Sequence, residues 1–408
     1  MVGTIDSSMD EILAEFELKF NVSDHILDQF TPMEIYLGES LLTPGLQTSV
    51  VVHNDLHYLP IKNLDEFKGA DIEITIVRKI LEKFNMLSTM DVRQVVYRLE
   101  KRQLYNNSTE SFILHACDQS MLDDAATLVS KQWKCSTPSD VVNEVLRSCA
   151  GVKNLLVEPS SPARPYIAEN IHPFQVVAQQ ANVALADGND PSFVRYMTYE
   201  NLGTHNFRSV KKLVEQPPLF DKPFSYTEVG ETNNSGYAYP LGLMTYSFPC
   251  DFDLLSDILN GVNVSGQNIN TAFTVNPWTS SFNMFGSKVI GCGIGSGNSK
   301  MLPTNLGSEG PQNTCPDNAK QYLQLRQARM SLLEQDKIAF RCTIPWNPLI
   351  HAGKVIRIGL QNRKDPNISN YGTGDYLIVS MKHNLKYGGF STTTMDCVSV
   401  TAGKRGEV

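Results

Sequence analysis

A chain of 408 residues is longer than one hydrophobic core comfortably serves, so several domains are expected. Its 41% hydrophobic and 19% charged residues are an ordinary globular mixture, and the net charge of -8 argues against a nucleic-acid binder built on a basic face. The acidic start, Met1 to Glu15, lacks a signal pattern, and no apolar run approaches the ~18 residues of a membrane span, so the chain reads as made in a cytoplasm without membrane insertion.

The first stretch reads as β. Phe16, Leu18 and Phe20 alternate with polar residues, as do Ile72, Ile74 and Ile76, and such a period of two gives each strand one apolar face. Val95, Tyr97 and Leu99 are expected to form another such face, and Phe112, Leu114 and Ala116 the next. The turn formers Tyr105 to Thr109 between them predict a hairpin. A small antiparallel barrel or sandwich from about Thr4 to Cys117 accounts for this pattern.

At Asp118 the period changes. Ser120 to Lys131 is expected to be helical, with Leu122, Ala125, Ala126 and Val129 on one side. Thr137-Pro138-Ser139-Asp140 has the form of a helix start, Val141, Val142, Val145, Leu146 and Cys149 form its apolar stripe, and Gly151 ends it. Val157 to Arg164 reads as a connection. A third helix opens at His172-Pro173, and two strands, Ser192 to Glu200 and His205 to Val210, flank the turn Asn201 to Thr204. A short helix is expected over Asp251 to Asn260 and a further helix from Asp317 to about Glu334, on either side of a Gly-rich stretch from Gly291 to Pro316. β structure then returns at Ile356, Ile358 and Leu360, at Leu377, Val379 and Met381, and after the turn Tyr387 to Phe390.

Candidate chemistry fails on spacing. Gly291, Gly293, Gly295 and Gly297 lack the Gly-x-Gly-x-x-Gly arrangement of a dinucleotide loop, and no helical pattern follows. Ala352-Gly353-Lys354 and Ala402-Gly403-Lys404 lack the earlier glycine of a phosphate loop and read as turns. His53 and His57 lack the intervening Glu of a zinc-protease helix, and none of the eight cysteines forms a Cys-x-x-Cys pair. No catalytic, cofactor-binding or metal-binding residue is therefore singled out, no cofactor is expected, and the chain reads as a non-enzyme. Arg98 and Arg102 are the candidate subunit-interface residues. They belong to a concentration of positive charge near the first β unit that could set the orientation of an acidic neighbour.

Five pieces in order carry a resemblance: Val96 to Arg102 with Glu110 to His115; Leu128 to Lys131 through Ser139 to Val142, read as paired helices; His172 to Val177; Phe193 to Met197 with Tyr199 to Asn201 and His205 to Val210; and Ala352 to Ile356 with Asp375 to Val379, Lys382 and His383. Together they resemble the central baseplate hub proteins of contractile-tailed, T-even-like phages. The resemblance implies an α+β chain with two small antiparallel, tube-like β-barrel domains and an intervening α+β region. The expected division is 1–117 for the first barrel, 118–221 and 251–335 for the middle region, 222–250 and 336–402 for the second barrel, and 403–408 for a tail. It also implies a homotrimer that adapts a hexameric tail tube to a trimeric spike, among other baseplate proteins, with DNA passing its lumen without specific binding. Its place would be the virion, after assembly in the host cytoplasm. Two rivals are a spike-hub of a related contractile injection system and a tail-associated cell-wall hydrolase.

Overall fold

The computed structural model describes residues 13–22, 25–27, 31–55, 68–104, 108–188, 190–226, 241–248, 340–360 and 372–399. The expected helices at Asp251 to Asn260 and Asp317 to Glu334, the Gly-rich stretch, His57, the tail and the centre of the Tyr105 to Thr109 turn lie outside these residues.

Seven strands come first: β1 (Glu15–Val22), β2 (His25–Leu27), β3 (Thr31–Ser40), β4 (Gln47–Asp55), β5 (Asp71–Val77), β6 (Thr89–Leu104) and β7 (Thr109–Cys117). They pair antiparallel in the order β3-β4-β7-β6-β5-β1-β2. Alternation places Leu18, Phe20, Ile35, Leu37, Val50, Val52, Ile72, Ile74, Ile76, Phe112 and Leu114 in one core. The expected face Val95-Tyr97-Leu99 is corrected. Met90, Val92 and Val96 face the core, while Tyr97 is 53% exposed. A bulge between Val96 and Arg98 inserts a residue and reverses the alternation, so Leu99 comes back opposite Leu114.

The middle region follows: α1 (Gln119–Ala126), β8 (Val129–Ser136), α2 (Pro138–Ser148), β9 (Leu155–Val157), β10 (Arg164–Ile171), α3 (Pro173–Ala181), β11 (Phe193–Thr198), β12 (Thr204–Ser209) and α4 (Val210–Val214). The helix expected up to Lys131 stops at Ala126, and Val129 to Lys131 belong to a strand. Val129 and Trp133, the buried pair of that strand, are four apart, a spacing that fits a helical turn and two strand periods alike. Pairing with β10 decides the outcome. β10 begins at Arg164, where the expected connection ends, and carries Pro165 at its start, which an edge strand tolerates. α2 and α3 lie between two small sheets. Val141, Val145 and Val176 pack on Val129 and Trp133, and Val142, Leu146 and Val177 pack on Phe193 and Phe207.

The last strands are β13 (Phe224–Tyr226), β14 (Gly242–Leu243), β15 (Thr245–Ser247), β16 (Phe340–Pro345), β17 (Val355–Gly359), β18 (Gly374–Lys386) and β19 (Thr392–Ser399). β18 has 13 residues and three partners: β17 along its first part, β3 along its second, and β19 along both. The chain from Gly242 to Ser247 crosses from β13 to β16, with Met244 N donating to Thr343 O at 2.8 Å. The protein is thus sheet-rich α+β. Among the described residues neither β unit closes into a barrel by strand pairing.

The outer side of this second unit is not bare. Val194 and Tyr196 of β11, with Val210 and Leu213 of α4, cover Val355, Leu377, Val379 and Val398. Gly353 makes the close approach possible. Its φ is +81°, and a Cβ there would sit 2.7 Å from Tyr196 Oη.

Candidate assembly surface

The β3–β18 pairing runs from Ser40 opposite Ser380 to Glu34 opposite Lys386. It joins the two β units into one sheet whose strands run β16-β19-β18-β3-β4-β7-β6. On each strand the residues that alternate with the core point to one common outer face. From β16 towards β6 these include Arg341, Thr394, Asp396, Ser380, Lys382, Tyr36, Gly38, Gln47, Ser49, His115, Glu100 and Arg98, all outside the core.

Charges on this face are matched. Arg341 Nε lies 2.5 Å from Asp396 Oδ1, Lys386 Nζ 3.7 Å from Glu34 Oε1, and Arg98 Nη2 2.5 Å from Glu100 Oε2. Glu100 also receives His115 Nε2 at 3.0 Å, and that hydrogen bond leads the causes that hold its carboxyl below the usual range. His115 Nδ1 in turn meets Ser49 Oγ at 2.9 Å. Between Arg341 and Arg98, Lys382 is the one cation without a carboxylate partner among the described residues. Its ammonium sits over the Tyr36 ring, 4.5 Å from the centroid.

The two candidate interface arginines differ. Arg98 is on the outer face with a side chain 62% exposed. Arg102 lies within a second bulge, between Glu100 and Gln103, and its Nε lies 2.6 Å from Oε2 of Glu110, whose side chain is only 3% exposed. Arg102 therefore covers a buried carboxylate, which the sequence pattern did not reveal.

Glu39 was also not foreseen. It occupies an inward register position on β3, after Ile35 and Leu37, with its side chain fully buried. Oε1 accepts from Tyr199 N at 2.6 Å and from His351 Nδ1 at 2.9 Å, and Oε2 accepts from Ala352 N at 2.7 Å. One carboxylate thus ties the first β unit, the end of β11 and the loop before β17. Burial opposes a charge on His351, but Glu39 outweighs it and the imidazole pKa is raised. The same interface is sealed by Trp346, fully buried in the first unit's core, whose carbonyl accepts from Arg78 Nη1 at 2.8 Å. Burial alone lowers the Arg78 pKa to about 10. The sequence clue to Glu39 was a lone carboxylate in an otherwise apolar alternation.

One further cluster has catalytic residue types but not catalytic geometry. Ser120 Oγ donates to Asp118 Oδ1 and lies 3.0 Å from His205 Nε2. Asp118 Oδ1 approaches the same ring nitrogen at 3.6 Å, whereas a triad places serine and carboxylate on opposite ring nitrogens. Nδ1 instead faces Arg195 Nη2 at 3.5 Å, and Ser120 is 4% exposed. Asp118 is the N-cap of α1, accepting from Ser120 N at 2.9 Å, so the cluster fixes a helix start. Among the described residues no group of His, Cys, Asp and Glu could hold a metal ion, and no helix is long and apolar enough to cross a membrane.

Nearly the whole chain superposes on solved tail proteins. A 43 kDa tail protein of a Shewanella oneidensis prophage matches with a TM-score of 0.53 at 12% identity, over 95% of this chain and 97% of the other. The fold is that of phage tail proteins. A tail protein from Neisseria meningitidis matches at 0.50 and 10% identity, over 94% and 96% of the two chains. An Escherichia coli component of the type VI secretion system, described as structurally similar to bacteriophage T4 tail proteins, matches at 0.50 and 10% identity over 95% of this chain and 78% of its own. These three structures are named as tail or secretion-system components, not as enzymes. No protein-family model and no curated protein matches the sequence.

Proposed function

We propose that this chain is a structural, non-enzymatic hub of a contractile phage-tail baseplate, acting as a homotrimer. In this reading each subunit supplies two tube-like β domains, residues 1–117 and residues 222–250 with 336–402. Residues 118–221 and 251–335 would form the middle region, of which β11 and α4 brace the second β domain. Three subunits then present six similar β units to a hexameric tail tube and threefold symmetry to a trimeric spike.

The observation that carries the reading is the single sheet built through both β units by β3 and β18. Its outer face is polar and nearly charge-balanced. That suits the wall of a channel through which DNA slides, because a wall with few unpaired cations releases few phosphate counterions and holds DNA weakly. β11 and α4 cover the first part of that same side of β18, around Leu377 and Val379, so the bare polar part beyond Ser380 is the stretch available to line a lumen. The likeness to a secretion-system component favours a second reading on the same plan, a spike-hub of a related injection system.

Light scattering on the purified chain, alone and with its spike, tests the proposal. Three copies are expected in at least one of the two samples, and a single copy in both contradicts it. A zymogram on cell-wall material is expected to stay blank, and a clearing zone would favour a tail-associated hydrolase instead.

A further inference from the structure

The outer sheet face is not flat. Where β3 meets β18 a groove of about 740 Å³ crosses the seam, lined by Tyr36, Ser40, Arg341, Ser380, Lys382 and Asp396 among others. A second hollow of about 600 Å³ adjoins it and shares Thr43, Gln47 and Ser49. Its further lining is more apolar and includes Pro44, Leu46, Tyr97, Met121 and Leu122. Gly45 lets Met121 pack against the loop there, since a Cβ at that position would lie 2.7 Å from Met121 Sδ.

We propose that this two-part trench is a docking site for an extended protein segment that places a carboxylate in the seam groove and an apolar side chain in the adjoining hollow. The inference goes beyond the hub reading and does not need it, because both hollows lie within one chain.

Three observations select that occupant. Asp396 is taken up by Arg341 and by Ser380 Oγ at 3.1 Å, so the anionic groups of the groove are already satisfied. Lys382 has no carboxylate partner among the described residues, and its ammonium lies over the Tyr36 ring. A fixed ammonium against an aromatic face, with hydroxyls close by, recognises a carboxylate by charge and hydrogen bonding. The hydroxyls of Thr43, Ser40, Ser49 and Ser380 and the Gln47 amide can exchange hydrogen bonds with an extended backbone. The apolar hollow gives an anchor for one side chain within the same run. A nucleic acid fits less well, since a single uncompensated cation neutralises too few phosphates to hold it.

The test uses the full-length chain and fluorescence anisotropy. The probe is a labelled peptide of repeated Ser-Asp-Leu, about twelve residues long, compared with Ser-Asn-Leu and with a single-stranded oligonucleotide of similar length. The Asp peptide is expected to bind at least about tenfold more tightly than the Asn peptide. Lys382→Ala, at an exposed site, is expected to erase most of that difference, and Leu122→Asp to weaken both peptides. Lys386→Ala is expected to leave binding unchanged, because Lys386 already faces Glu34. Melting curves confirm that each variant is folded. Failure of the Asp peptide to bind, equal binding of the Asp and Asn peptides, insensitivity to Lys382→Ala, or tighter binding of the oligonucleotide overturns the proposal. The copy number of the chain, measured separately, bears only on the hub reading.

Discussion

The two β units solve the same packing problem differently. The first buries one face of each strand and leaves the other wet, so β5 alternates strictly between buried Ile72, Ile74 and Ile76 and half-buried polar residues. The second is buried on both faces where the middle region covers it. Along β18, Tyr376 and Ile378 enter one core while Leu377 and Val379 enter another. The bulge between Ile378 and Ser380 then returns the strand to one-sided burial just as it leaves β17 and joins β3. One strand therefore serves as braced wall at one end and bare wall at the other. The difference shows which surface of the sheet is free to meet something else.

The largest expected effect breaks the one-sided unit. Ile74→Asp places an unpaired charge in a core where Ile74 is 1% exposed. A loss of about 4 kcal/mol or more is expected, read as collapse of the cooperative denaturant transition. Survival of a native-like melt would show that the first core is not continuous.

Glu39→Ala attacks the joint between the units. It strands the donors Tyr199 N, Ala352 N and His351 Nδ1 in a buried site, and a loss of about 3–5 kcal/mol is expected from equilibrium unfolding. The sign of its pH dependence follows from the raised His351 pKa. The ion pair contributes fully below the unfolded histidine value of about 6.5 and is lost as pH rises through the higher folded value. The stability gap between the wild type and His351→Gln should therefore shrink as pH increases. A gap that grows with pH would show that His351 is not held charged by Glu39.

Gly353→Ala probes how tightly the middle region seats on the second unit. A Cβ at φ +81° facing Tyr196 Oη should cost about 1–3 kcal/mol in thermal melts. No change would mean that the contact is loose. The smallest effect on folding is expected for Arg98→Glu, within about 0.5 kcal/mol, because Arg98 is well exposed. Co-assembly with tail tube should nonetheless weaken, and unimpaired co-assembly would remove Arg98 from the interface. Arg102→Glu is the less clean probe, since it sets a second carboxylate against buried Glu110.

Legibility in the sequence tracked the number of buried faces. One-sided strands such as β1, β5 and β7 announced themselves by alternation, and the hairpin turn after β18 by its glycines. Local signals faded where tertiary pairing decided the outcome. Val129 and Trp133 satisfy helix and strand spacing equally, and β10 is masked by Pro165. The bulge at Val96 to Arg98 shifted an entire face without any mark that composition could carry. The outer face of the sheet was legible only as scattered polar residues. The seam that assembles it joins positions more than 340 residues apart in the chain, such as Gly38 and Lys382, and no local pattern encodes such a pairing.

The central claim is that the polar face built across β3 and β18 lines a channel in a threefold assembly. Electron microscopy of the chain bound to its spike tests it most directly. The account predicts a ring of three subunits whose central hole is walled by Ser49, Lys382 and Thr394. A ring that turns this face outward, or a complex containing one copy, would contradict it.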